Sequence, residues 1–214
     1  MNIIIRGDVV VEGYGIVDWF VKGGVVMWPL LFCSLLVVAI AVERFRYYEK
    51  DAKEGRRVCH EMMKHIDANE WEKAGEVCAE SQSAAGRILA SGICSYTDVH
   101  VMRDSFEDRT SLEAARLKKN LGYLDTVVTM APLLGLLGTV VGMIGSFNIL
   151  DAAAHPTALT GGIGEALIAT ASGLCVAVLA LCVHSYFARR LDNVLTEMET
   201  MCMFVMDRAK GAAR

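Results

Sequence analysis

Only one carboxylate, Glu165, occurs in the long apolar stretch 152–188. An ionised carboxylate in hydrocarbon costs at least about 2.5–3.5 kcal/mol, so it is retained where it faces a cavity, has a partner or is neutral. Glu165 is therefore a candidate for a pore lining or a polar contact. The alternative is an interfacial position, because Glu165 lies about 36 Å before Arg189 along a helix and can reach the lipid headgroups. The sequence alone leaves both interpretations open.

Two threonines in the apolar stretches are further candidates for a polar pathway. Thr139 carries a hydroxyl on a helix face of small residues, although such a hydroxyl often bonds back to a carbonyl one turn earlier. Thr170 lies about 140° from Glu165 around a helix, so one narrow face cannot hold both side chains. Both groups can still line a cavity that is shared between neighbouring copies of the chain.

Four glycines mark one face of the helix that carries Thr139. An arc of about 80° contains Gly135, Gly138, Gly142 and Gly145. Small residues let helix backbones approach closely in lipid, and Gly138 and Gly142 form the GxxxG pattern of packed membrane helices. The pattern therefore predicts tight helix packing on this face.

Three apolar segments position these residues. Hydrophobic residues form 54% of the 214 residues and charged residues 21%, and no charge interrupts 23–42 or 126–150. A helix that spans a bilayer needs about 20 mostly apolar residues, which these two segments and 152–188 provide. We therefore predict an all-α membrane protein with three transmembrane helices. The alternative is that the segments are buried helices of a soluble core.

The last two predicted spans continue as long helices beyond the membrane. A stripe that runs without a break into span two begins with Leu112, Ala115, Lys119 and Gly122. After span three, apolar residues recur at helical spacing over 191–205. The apolar face of that amphipathic helix must be covered by a partner helix, from this chain or from another copy.

Lysine and arginine residues at the span ends set the predicted orientation, since positive residues there favour the cytoplasm. They follow span one, precede span two and follow span three, whereas the link between spans two and three has none. No cleavable signal peptide is predicted. The predicted segments are an outer N-terminal segment 1–22, transmembrane helices 23–42, 123–150 and 163–188, an inner helical segment 43–122, a short outer loop 151–162 and an inner C-terminal helix 189–214.

Several function classes are not predicted. The net charge of −4 offers no electrostatic hold on nucleic acid. The seven cysteines form no CxxC pair, and His60 and His65 have a spacing of i, i+5 where a zinc-protease motif needs i, i+4. No metal or cofactor is therefore expected. One isolated membrane carboxylate, with no nucleophile and no second carboxylate, does not predict an enzyme.

Three stretches of the sequence resemble one known family. They are GGVVMWPLL at 23–31, APLLGLLGTVVGM at 131–143 and GEALIATASGL at 164–174. On these motifs the chain resembles the ExbB/TolQ/MotA proton-channel family, and most closely its ExbB/TolQ branch. The flagellar stator branch, whose members typically have four spans, fits less well because only three spans are predicted.

The resemblance implies a bacterial inner-membrane complex, with the outer segments periplasmic and the inner segments cytoplasmic. It implies a ring of five copies around a pore, in which a dimer of a single-span ExbD/TolR-like protein carries protons on a membrane aspartate. By motif position Glu165 matches the family's third-span glutamate, and Thr139 and Thr170 match its pore hydroxyls. Proton flow would then drive work on a periplasm-spanning protein of the TonB or TolA kind. The alternative function is a passive membrane scaffold that conducts no protons.

Three sites depart from the family's pattern. Leu179 stands where the family usually has a proline in span three, and His184 and Ser185 replace a Tyr-Asn pair near the inner end. Asp125 lies at the inner end of span two, where a small neutral residue is expected. These departures affect the bend of span three and the polar contacts at the inner mouth, but not Glu165 or the span-two motif.

Overall fold

A computed structural model describes Phe20 and residues 23–153 and 156–212, with the backbone alone for 148–153, 156–160 and Ala212. Within 23–153 and 156–212 the chain forms six α-helices and no strand, which confirms the predicted all-α class. The helices are α1 (Met27–Asp67), α2 (Trp71–Glu80), α3 (Ala84–Ile93), α4 (Val99–Lys118), α5 (Leu121–Ala153) and α6 (Pro156–Ala212).

Three of these helices, α1, α5 and α6, are long and apolar enough to cross a membrane. Only 22%, 22% and 28% of their most apolar stretches are buried within the chain. Large apolar side chains such as Phe32, Leu133 and Leu167 are exposed. Exposing this much apolar surface to water is energetically unfavourable, so lipid or other chains must cover it. The predicted class, a membrane protein with three spans, is therefore confirmed.

Two of the spanning helices continue far beyond a bilayer's thickness. α6 has 57 residues and is uninterrupted to Ala212, which confirms the predicted long C-terminal helix. α1 has 41 residues and continues to Asp67, although the sequence after Val42 is strongly charged. At 1.5 Å per residue these helices are about 85 and 60 Å long. The sequence does not predict that span one continues as a long helix. After Val42, charged residues occur on most faces of the helix, so its apolar residues form no clear stripe.

The chain divides into two units. The apolar unit consists of the described part of Met1–Val38 together with Tyr123–Cys182. The polar unit consists of Ala39–Gly122 together with the described part of Val183–Arg214. The candidate site residues all belong to the apolar unit.

The polar unit has a hydrophobic core of its own. Helices α1, α2, α3, α4 and α6 contribute to it, and its fully buried side chains include Met62, Ile88, Met102 and Val205. Three residues of the 191–205 stripe belong to this core, namely Met198, Cys202 and Val205, and Leu191 is also buried. The stripe is therefore covered by helices of the same chain. Of the two alternatives left by the sequence, a partner helix from this chain or from another copy, the structure supports the first.

The passage from α4 to α5 corrects one expectation. The stripe into span two is not continuous, because α4 ends at Lys118 and α5 begins at Leu121. Asn120 has φ +72, a left-handed conformation that asparagine tolerates better than most residues. Its Nδ2 donates to Glu43 Oε1 of α1 at 3.1 Å. We call residues Lys119 and Asn120 the α4–α5 joint.

Two side chains of α1 donate hydrogen bonds to the C-terminal end of α4, next to this joint. Arg44 Nη1 and Tyr48 Oη both donate to the carbonyl oxygen of Leu117, at 3.3 and 3.1 Å. The last carbonyls of a helix lack partners within the helix and carry partial negative charge, so a cation there is stabilising. This contact explains why Arg44 is buried although no ion pair to it occurs among the described residues.

A buried carboxylate of the polar unit binds three arginine side chains. Glu113 is fully buried, and its oxygens accept from Arg87 at 2.6 and 2.9 Å and from Arg116 at 2.9 Å. Arg109 forms a further ion pair at 3.3 Å. Burial raises the pKa of Glu113, but the hydrogen bonds and charges of the three arginines outweigh it and hold the pKa below its ordinary value.

Candidate functional site

Glu165 lines a cavity of about 540 Å³ in the apolar unit. We call it the glycine cavity, because seven of its twelve lining residues are glycines. Its lining consists of Gly23, Gly24, Val25 and Val26 just before α1, of Gly138, Val141, Gly142, Gly145 and Ser146 of α5, and of Gly161, Gly162 and Glu165 of α6. Among the residues that the structure describes, Glu165 is the only titratable side chain that lines this cavity.

The Glu165 carboxylate lies directly against Gly24. Gly24 has φ +69, and its carbonyl oxygen accepts from the Met27 amide at 3.2 Å in the turn that begins α1. A methyl group at Gly24 would overlap Glu165 Oε1. Only glycine leaves this space open and adopts this backbone conformation without strain.

Ser146 is the other polar side chain of the glycine cavity. It is buried, and its hydroxyl donates to the carbonyl oxygen of Gly142 at 2.8 Å. A methyl group at Gly162 would overlap Ser146 Oγ, so α5 and α6 are in close contact at this level. With its hydrogen committed to Gly142, the Ser146 oxygen remains available as an acceptor.

The two candidate threonines lie elsewhere. Thr139 donates its hydroxyl to the Leu136 carbonyl of its own helix at 2.6 Å, which is the backbone bond considered as the alternative from the sequence. Thr170 donates to the carbonyl oxygen of Gly135 at 3.0 Å, from α6 to α5. Neither threonine is among the residues that line the glycine cavity. Within one chain, therefore, Thr170 does not line the glycine cavity that Glu165 lines.

Three of the four glycines on the predicted packing face lie against α6. Added methyl groups would meet the Thr170 backbone at 3.1 Å from Gly135, Ala169 Cβ at 2.5 Å from Gly138 and Ala166 Cβ at 3.1 Å from Gly142. Gly145 differs, because a methyl group there would meet nothing within 4 Å. In this chain Gly145 therefore lines the cavity without packing against a helix.

The residues that depart from the family's pattern do not interrupt the helices that contain them. Leu179 is exposed and lies in the uninterrupted α6. His184 and Ser185 are half-buried and Asp125 is exposed. Between 23 and 211, apart from the undescribed side chains, no group of three or more His, Cys, Asp or Glu residues is arranged to hold a metal ion.

The sequence alone assigns no role to Ser146 or Gly24, two residues of the cavity whose contacts are described above. Ser146 was visible on the glycine face, but its spacing gave no reason to separate it from the packing residues. Gly24 belongs to the first of the three family-like stretches, so its motif was the available signal. Its contact with Glu165 joins residues far apart in the sequence, and only the tertiary structure reveals it.

Comparisons with known proteins agree with this architecture. The model of the MotA/TolQ/ExbB proton channel family matches residues 80–200. ExbB-like 1 of Synechocystis sp. is 36% identical over 175 residues, which cover 78% of this chain and 68% of that protein. ExbB-like 3 of the same organism is 32% identical, covering 77% of this chain and 81% of that protein.

A relative from another organism extends the likeness over more of the chain. The ExbB homolog of Methanothermobacter thermautotrophicus is 28% identical, covering 90% of this chain and 70% of that protein. The matched family consists of channel and transport proteins and is not a class of enzymes. Because its model matches more than half of the residues and the similar proteins carry the ExbB name, the chain belongs to the MotA/TolQ/ExbB proton channel family, in its ExbB branch.

Proposed function

We propose that this chain is the ring-forming subunit of a proton-driven energiser complex in the bacterial inner membrane. In this proposal five copies surround a dimer of a single-span ExbD/TolR-like protein, whose membrane aspartate carries protons. The complex couples proton flow to work on a periplasm-spanning protein of the TonB or TolA kind in envelope transport. The relatives' name, biopolymer transport protein, and the family membership support this assignment.

The observation that carries the proposal is the position of Glu165. Of the side chains that the structure describes, its carboxylate is the only titratable group lining the glycine cavity, in a unit built from apolar helices. A carboxylate is retained in such surroundings where it faces a cavity or has a partner. Glu165 would exchange protons or order water on the path to the partner's aspartate. The Thr139 and Thr170 hydroxyls would line other parts of that path.

The membrane potential supplies the driving force in this proposal. One elementary charge that crosses 100 mV releases about 2.3 kcal/mol. Each protonation of the partner's aspartate would remove a charge and allow the partner to shift within the ring. The proposed orientation has 1–22 and 151–162 in the periplasm, and 43–122 and 189–214 in the cytoplasm. Gly135, Gly138 and Gly142 would keep α5 and α6 close together during that movement.

The mass of the intact complex tests the assembly. The chain, tagged at its C-terminus, would be purified from native membranes in mild detergent and weighed as a whole complex. We expect five copies of the 23.3 kDa chain and a small single-span protein with a membrane carboxylate. A monomer or dimer without such a partner, found in several mild detergents, would contradict the proposal.

Proton flux tests the role of Glu165. The purified complex would be reconstituted in liposomes and its proton flux measured under an imposed potential. Glu165→Gln keeps the size of the side chain but cannot release a proton, so we expect it to abolish flux. Unchanged flux in Glu165→Gln would show that Glu165 does not exchange protons on the pathway, whatever the assembly.

A passive scaffold is the second candidate function. One observation favours it: the hydroxyls of Thr139 and Thr170 already bond to backbone carbonyls, and three glycines pack α5 on α6. These features serve assembly without any pathway. A scaffold predicts no proton flux with any partner, so the same liposome measurement separates the two functions.

A further inference from the structure

We propose that Gly24 is the positioning residue for Glu165, and that its missing side chain determines where the Glu165 carboxylate lies in the glycine cavity. This inference rests on the proposed function, because it concerns the group to which proton exchange is assigned there. Gly24 acts through Glu165 and contacts no proton itself.

The contact is specific to this glycine. The three heavy atoms nearest to the absent Cβ of Gly24 all belong to Glu165, and Oε1 is the closest. Elsewhere in the cavity, Gly138 and Gly142 face alanine side chains of α6, and Gly145 faces open space. No other glycine from Gly24 to Gly211 has a carboxylate oxygen among its three nearest atoms. The cavity therefore contains several glycines, but one of them meets the carboxylate.

The nature of the contacting atom determines what a substitution does. Glu165 Oε1 is the far end of a flexible side chain, so a methyl group at Gly24 displaces the carboxylate and leaves the helices in place. The backbone at Gly24 adds a second effect, because φ +69 is unfavourable for any residue with a Cβ. An experiment must therefore separate carboxylate displacement from backbone strain.

Replacing Glu165 with the shorter aspartate separates carboxylate displacement from backbone strain. Glu165→Asp removes one methylene, so its carboxylate does not reach a methyl group at Gly24, while the backbone strain stays the same. In liposomes containing the complex purified from its native membranes, we expect Gly24→Ala to lower proton flux by about 10- to 100-fold, because small misplacements of a reacting group have effects of this size. Glu165→Asp moves the carboxylate by itself, so it is the reference for the double variant: we expect adding Gly24→Ala to Glu165→Asp to lower flux less than about twofold further.

Gly164→Ala is the matched control. It adds the same methyl group next to Glu165 in sequence, but this methyl meets nothing within 4 Å. We expect its flux to remain within about twofold of the wild type. Equal flux in Gly24→Ala and Gly164→Ala would overturn the proposal. So would an equal fold loss from Gly24→Ala in the wild type and in the Glu165→Asp background, since that result assigns the loss to backbone strain.

An infrared measurement keeps the inference separate from the proposed function. The carboxyl band of Glu165 is the band that disappears in Glu165→Gln, and we expect it to shift in Gly24→Ala but not in Gly164→Ala. If the wild type conducts no protons and the band shifts, the proposed function fails and the positioning role stands. If Glu165→Gln abolishes flux while Gly24→Ala changes neither flux nor band, the positioning role alone fails.

Discussion

The Thr170 hydroxyl donates to the carbonyl oxygen of Gly135 at 3.0 Å and so joins α6 to α5. The bond forms where the two backbones are in close contact, since a methyl group at Gly135 would meet the Thr170 backbone at 3.1 Å. A residue that resembles a pore hydroxyl by its motif is thus also a link between two helices. Any loss of transport in a Thr170 variant must be compared with its loss of stability.

Thr170→Val removes this hydrogen bond and keeps the shape of the side chain. We expect a loss of about 0.6–1.7 kcal/mol in the free energy of unfolding, the range measured for bonds between membrane helices. Thr170→Ser keeps the hydroxyl and should lose less. Thermal unfolding of the detergent-solubilised complex would measure both. Equal stability of Thr170→Val and the wild type would show that the bond contributes nothing.

Gly138→Ala places a methyl group 2.5 Å from Ala169 Cβ, an atom that cannot move without its helix. Overpacking of this kind costs about 1–3 kcal/mol, so the helices should separate and the unfolding temperature should fall. Adding Ala169→Gly removes the opposing methyl and should restore much of the loss. Gly145→Ala, whose methyl meets nothing within 4 Å, is the control for stability. A Gly138→Ala variant as stable as Gly145→Ala would contradict the packing.

Glu113→Gln leaves three arginines of the polar unit without their shared carboxylate. Breaking a buried ion pair from one side costs about 3–5 kcal/mol, so we expect a large loss of stability at pH 7. Glu107→Gln on the same helix removes only an exposed pair with Arg103 and should cost less than about 1 kcal/mol. Equal losses in the two variants would show that burial of Glu113 is unimportant.

The pH dependence of the Glu113 contribution has a definite sign. The folded-state pKa lies below the ordinary value of 4.5, so the unfolded chain binds a proton at Glu113 more readily than the folded one. The contribution is complete above the unfolded-state pKa and is lost as pH falls through the folded-state pKa. The stability difference between wild type and Glu113→Gln should therefore shrink at acid pH. A difference that grows on acidification would contradict this assignment.

Asn120→Ala tests the α4–α5 joint. Alanine at φ +72 is strained by about 1–2 kcal/mol, and the bond to Glu43 is also lost. Asn120→Gly loses the same bond but accepts the backbone conformation, so it should be more stable than Asn120→Ala. Chemical unfolding of the complex compares the two. The reverse order would contradict a left-handed backbone at Asn120.

The spans were predictable from the sequence because the bilayer imposes a length and a composition that few soluble helices meet. The long α6 was predictable for a similar reason, since the 191–205 stripe keeps helical spacing after the apolar residues end. The joint at Asn120 was not, because Lys119 and Gly122 continue the helical spacing and asparagine carries no strong helix-ending signal alone. Its side chain also bonds to Glu43, which is distant in the sequence.

The candidate site was predictable in kind but not in arrangement. A single acidic residue in a long apolar stretch is a strong sequence signal, so Glu165 is predicted directly. Its neighbour Gly24 is not, because a glycine in sequence gives no indication of what occupies the space of its missing Cβ. Gly145 shows the opposite case: its spacing matches the packing glycines, yet no atom of α6 lies against it. Periodicity assigns a face, whereas contacts depend on how the helices are offset.

The hydrogen bonds at the α4–α5 joint have a consequence for the order of folding. They connect α1 to residues 69 to 77 positions later in the chain. Closing loops of this length is entropically costly and slow compared with forming a helix. Since the N-terminal part is synthesised first, α1 is already available when Leu117 and Asn120 leave the ribosome. We therefore expect the joint to form late in biogenesis, after α4 has been synthesised and can pack against α1.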